Sequence, residues 1–201
     1  MPDLPIAFTR LRIDEDLPDP TDYIRLIITR TSPGSQEAIA SFAVHKRIAR
    51  HCRLLDAMLD SLDVSIDGES DASGGVSIPD VDPASCESVL TYLDIASNKI
   101  PTVLPRPLRA PLNELIQTWE LDFLMSNCVD SEVVPQSRIV GVMRVSDFLI
   151  IDSLRDLTCA CLASTILSCS SEQEVLKLLG LPQSLTRDQL QPLLEQFPFL
   201  S

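Results

Sequence analysis

The chain has 201 residues, with 16 Lys and Arg against 29 Asp and Glu, so it carries a formal charge of −13. A net anion of this size contacts nucleic acid only through a concentrated basic patch, and none is visible. The hydrophobic share of 45% argues against wholesale disorder and allows one well-buried core, while no apolar run approaches the ~20 residues that cross a bilayer.

In chain order, the first 21 residues carry Pro2, Pro5, Pro18 and Pro20 around Asp14, Glu15 and Asp16, a mixture that resists regular structure and reads as a flexible arm. Met1 to Pro5 has neither the charged nor the apolar part of a signal peptide, so the expectation is a soluble, intracellular protein. From Tyr23 to Thr31 residues alternate, with Ile24, Leu26 and Ile28 on one face. Ser32-Pro33-Gly34-Ser35 then supplies turn chemistry before a second run from Ala38 to Val44, which predicts a hairpin. Ile48, Leu55, Met58, Leu59 and Leu62 recur at helical spacing and predict one or two short amphipathic helices. A polar loop over Asp63 to Gly75 leads into a short strand at Val76-Ser77-Ile78.

Asp82 is suited to an N-cap, with Pro83 at the first helical position. Cys86, Val89, Leu90 and Leu93 then fall at i, i+3, i+4 and i+7, so a helix should run to about Ser97. Pro101, Pro105, Pro107 and Pro111 forbid continuous helix between Lys99 and Leu112 and predict a linker or extended loop. The second half reads as helical, with segments from Ser137 to Phe148 and from Asp152 to about Ser168. The latter is apolar on two faces: Leu154, Leu157, Cys161 and Leu162 form one stripe, and Cys159, Ala163 and Ile166 form another. One core beneath it would leave apolar surface uncovered, so a second helical layer or a partner should cover the rest. Ser171 with Glu174 makes a capping box before Val175, Leu178 and Leu179, closed by Gly180 and Pro182; Thr186 with Gln189 makes another, and Pro192 interrupts the helix that follows.

Little in the chain suggests chemistry. The six cysteines are dilute and read as reduced core fillers. Cys159 and Cys161 lie two apart on a helix and point roughly 200° away from each other, a poor half of a metal site. His45 and His51 lie near Cys52, where a thiol and an imidazole form a nucleophilic pair only if they meet; helix-end or surface histidines are the simpler reading.

The order of elements does carry a pattern. Phe42-x-Val44-x-x-x-Ile48-Ala49, then Met58-Leu59, resembles the amino-terminal pattern of the S-phase kinase-associated adaptors of SCF ubiquitin ligases. Ile78-Pro79-Asp80-Val81-Asp82 is similar to that family's Leu-Pro-Asn-Val stretch, and Ile116-x-x-Trp119-Glu120-x-x-Phe123 to its Ile-Pro-x-Trp-Asp-x-x-Phe. Phe148-Leu149-x-Ile151-x-x-Leu154-x-Asp156-x-Thr158-Cys159-x-x-x-Ala163-x-x-Ile166 then follows the family's Tyr-Leu-Asp-Ile-x-x-Leu-x-Asp-x-Thr-Cys run without a gap.

The resemblance covers roughly Tyr23 to Phe197. It implies an α/β fold: a BTB/POZ core of a small sheet with helices over residues 22–168, with loops at 63–75 and 98–115, and a carboxy-terminal helical extension over 169–201. It also implies a non-catalytic adaptor without cofactor or metal, cytoplasmic and nuclear, with no nucleic-acid or membrane partner. Its partners would be F-box proteins and a cullin, with weak homodimerisation when no F-box partner is present. The F-box surface would comprise Val140, Met143, Leu162, Ile166, Val175, Leu178, Leu179, Leu181, Leu194 and Phe197. The cullin corner would comprise Asp147 and Phe148, where the family has Asn and Tyr. The alternatives are a divergent BTB scaffold that self-associates or joins a kinetochore-type complex and, more remotely, a Cys/His enzyme.

Overall fold

The structure is a computed structural model and describes residues 6–64, 75–128 and 137–179. Over these residues the protein is α/β, with one four-stranded mixed sheet and eight helices. The hairpin forms the centre of the sheet. Strands β2 (Tyr23–Ser32) and β3 (Ser35–His45) run antiparallel, and Pro33 and Gly34 occupy the two central turn positions. Gly34 takes φ +90°, a value glycine adopts without steric cost. Leu26 faces Phe42 and Ile28 faces Ala40, all four buried, while Ile24 packs at the core's edge. One residue of β3, Ile39, is skipped between the Ile28–Ala40 and Thr29–Ala38 pairs, a bulge that increases local twist.

The segment read as an arm contains a strand. β1 (Phe8–Leu11) pairs antiparallel with the other edge of β3, from Phe8 opposite Val44 to Leu11 opposite Ser41. The prolines flank these four residues and none interrupts them, so their backbone groups are free to join the ladder. The segment is further fixed by the Tyr23 hydroxyl, which donates to the Ile6 carbonyl at 2.9 Å, and by the Arg25 guanidinium, which reaches the carbonyls of Ile13 and Glu15. On the far side, β4 (Val76–Pro79) runs parallel to β2, giving the order β1-β3-β2-β4.

Helices α1 (Lys46–Ala49) and α2 (Arg53–Val64) follow the hairpin as the spacing predicts. Helix α3 (Pro83–Ala96) starts on Asp82, whose carboxylate accepts the Ser85 N–H at 3.1 Å. Its residues Cys86, Val89, Leu90 and Leu93 are all fully buried. Residues 101–111 are irregular, as four prolines require, and lead into α4 (Leu112–Leu115) and α5 (Thr118–Asn127). Helices α6 (Ser137–Phe148) and α7 (Asp152–Ser168) have the bounds read from the sequence, and both pack into the helical layer, α6 between α3 and α7. Helix α8 (Glu172–Leu178) begins on Ser171, whose hydroxyl accepts the Glu174 N–H. The capping box there is shifted by one residue, since the Glu174 carboxylate takes the N–H of Ser170 rather than that of Ser171. The loop at 65–74 and the segment 180–201, with the second capping box at Thr186, lie outside the described residues.

One continuous core joins sheet and helices, from Leu26, Ile28 and Phe42 through Ile48, Leu55, Ile78 and Leu90 to Leu149 and Leu154. Fully burying an aliphatic side chain contributes about 1.5–3 kcal/mol, so these residues dominate the favourable side of folding.

Candidate interaction surface

The turn between α6 and α7 is built to hold two side chains outward. At the end of α6 the Ile150 N–H donates to the Asp147 carbonyl at 3.1 Å and the Ile151 N–H to the Ser146 carbonyl at 2.8 Å, the paired bonds of a Schellman motif. Leu149 and Ile151 point into the core, at 0% and 3% exposure, and anchor the turn from below. The Leu149 carbonyl accepts both the Leu54 N–H at 3.3 Å and the Cys52 thiol at 2.9 Å, which ties the turn to the start of α2. Phe148 and Ile150 alternate with these anchors and face solvent, at 40% and 37% exposure. Asp147 is exposed beside them.

Ion pairs flank the turn. The Arg155 guanidinium reaches Asp152 at 2.8 Å and Asp147 at 3.5 Å, and Arg53 reaches Asp152 at 3.0 Å. Ile150 was not among the residues singled out from the sequence. Its backbone takes φ +58°, in the left-handed region that β-branched residues avoid, and no residue type or spacing announces that.

The residues read as an F-box surface divide. Val140 and Leu162 are half-buried against the core, so part of their apolar character is used internally. Met143 is half-buried on α6, and its sulfur lies 3.4 Å from the Cys159 Sγ on α7. Ile166, Val175 on α8 and Leu179 at its C-cap are half-buried, while Leu167 is 83% exposed. Leu178 closes α8, and its side chain lies outside what is described, as do Leu181, Leu194 and Phe197.

The two-faced character of α7 has a partial internal explanation. Leu154 and Leu157 are buried, and Cys161 and Leu162 pack on the core as the first stripe predicts. On the second stripe, Cys159 and Ala163 form a groove with Leu104, Pro105, Pro107 and Leu108 of the proline-rich loop, fastened by the Arg106–Asp156 ion pair. That stretch is therefore a strap laid along α7, and Leu104 packs on the core. The loop runs beside this stripe, while Cys159 and Ala163 themselves stay exposed.

The thiol-imidazole reading finds no support in the geometry. Cys52 is fully buried, and burial pushes its thiol up to about 11, so it is a protonated donor to Leu149 rather than a thiolate. The Nδ1 of His45 accepts the Arg47 N–H at 3.0 Å as the cap of α1, and its ring meets Tyr23 edge-on at 5.1 Å. Among the described residues no cluster of three or more His, Cys, Asp or Glu is placed to hold a metal ion, and no helix is long and apolar enough to cross a membrane. No protein-family model matches the chain, and no curated protein matches it.

Proposed function

We propose that the chain is a non-catalytic adaptor with a BTB/POZ core, joining F-box substrate receptors to a cullin in an SCF-type ubiquitin ligase. The observation that carries this reading is the α6–α7 turn. The sequence run from Phe148 to Ile166 that resembles the adaptor family falls on a turn and helix whose Leu149, Ile151 and Leu154 are buried. Phe148 and Asp147, the residues that the resemblance assigns to a cullin, are outward. A site that only binds needs an apolar anchor on a rigid support, which this turn supplies.

On the same reading, the F-box surface lies around Met143, Ile166, Val175 and Leu179, where half-buried apolar side chains remain on α6, α7, α8 and its C-cap. Binding is then the output. Phe148→Lys tests it, because a charge at the anchor must be desolvated against the partner. Affinity capture from the source cell should return F-box proteins with wild type and variant alike, and a cullin with wild type only. Capture of the chain alone would favour a self-associating scaffold. Loss of both partners in a variant that melts like wild type would refute the division of sites.

A further inference from the structure

The side chain that decides partner fit at the α6–α7 turn is, we infer, Ile150, presented as an apolar knob to an uncharged recess on the cullin; this rests on the adaptor reading above. The turn needs a residue at positive φ, and Gly or Asn fills that position at little or no steric cost. Ile150 instead takes φ +58° with a branched Cβ. A strained backbone conformation persists only where the surroundings over-determine it, and such positions gather at binding sites. The surroundings here do so: Leu149 and Ile151 on either side are buried, and the Leu54 N–H, the Cys52 thiol and the Ser146 carbonyl hold their backbone. Ile150 lies outside the buried core, and its side chain is more than a third exposed.

The chemistry of the partner follows from the flanking ion pairs. Arg53, Arg106 and Arg155 pair with Asp147, Asp152 and Asp156, so these six charges are matched among themselves and sum to zero. A charged partner face would have to break these pairs, whereas an apolar recess leaves them intact and excludes water from Phe148 and Ile150. Affinity at this contact should accordingly vary little with salt.

The test pairs stability with binding. A purified cullin is titrated onto wild type, Ile150→Gly and Ile150→Asn at low and high salt, and each variant is melted. Both variants should melt about 2–4 °C higher, because the strain is relieved, yet bind the cullin at least ~10-fold more weakly. Wild-type affinity should be nearly the same at both salt concentrations. Unchanged affinity in both variants, with wild type bound, would overturn the role of Ile150 and leave the adaptor reading standing. Failure of wild type to bind would overturn both. Variants that melt lower would show that the isoleucine serves the fold, and a steep loss of wild-type affinity with salt would overturn the uncharged recess.

Discussion

Tyr92 and the three buried thiols set how the molecule responds to alkali. Burial pushes Cys52 from its ordinary 9.0 to about 11, Cys86 and Cys128 to about 12, and Tyr92 from 10.0 to about 12. Tyr92 also donates its hydroxyl to Ser153 at 3.0 Å and packs edge-on to Phe123. In each case the native state holds the neutral form. Their contribution to stability is therefore complete below about pH 9 and is lost as pH rises through the window from 9 to 12, where the unfolded chain has already released its protons. The melting temperature should fall steeply across that window, and Cys86→Ala should fall less steeply than wild type because one such group is gone. Parallel curves for the two proteins would contradict the assignment. Glu120 marks where reading a sequence ends at this scale. It is 1% exposed, and its carboxylate accepts N–H groups from Thr102 and Gln117 and the Thr102 hydroxyl, so it closes the start of α5 onto a loop 18 residues away. The resemblance named Glu120 in a motif, but a pairing between a helix and a preceding irregular segment has no periodicity that would reveal it.

The crossing of α3 and α6 depends on a missing side chain. A Cβ placed on Gly141 would lie 2.2 Å from the Ser85 Oγ and 3.1 Å from its Cβ, so an added methyl forces Ser85 to shift. Gly141→Ala should gain up to about 1 kcal/mol of helix propensity but lose about 1–3 kcal/mol to overpacking. The expected net is a loss of about 1 kcal/mol in denaturant unfolding, and Ser85→Ala in the same chain should recover part of it. A stabilised Gly141→Ala would show that the helices shift apart freely. Elements with their own punctuation were legible in the sequence. Asp82 and Pro83 announce α3, and Ser171 with Glu174 announces α8, because capping and backbone geometry are local. β1 was not legible, since four residues among prolines gain their order only from pairing with β3. The strap at 104–108 was read correctly as irregular, but its place along α7 depends on Arg106 meeting Asp156, 50 residues on. The outward set of Phe148 follows from helix phase, whereas the left-handed turn at Ile150 is imposed by the burial of both its neighbours.

At the scale of the whole molecule, the sheet and α1 to α7 share one core, while the end of the described chain stands apart in character. Helix α8 spans seven residues, its hydrogen bonds among those described are local, and Val175, Leu176 and Leu179 are only half-buried. A helix this short is marginal in water without tertiary cover. On the adaptor proposal, a bound F-box domain supplies that cover and stabilises the native state by mass action, by about 2.7 kcal/mol when free partner stands a hundredfold above its dissociation constant. The β2–β3 hairpin, already paired and buried, has little to gain locally. Amide hydrogen exchange of residues 172–179, with and without an F-box domain, reads this difference directly. The account predicts strong slowing in α8 on adding the domain, well beyond any slowing in Tyr23–His45. Equal exchange in α8 with and without the F-box domain would contradict it.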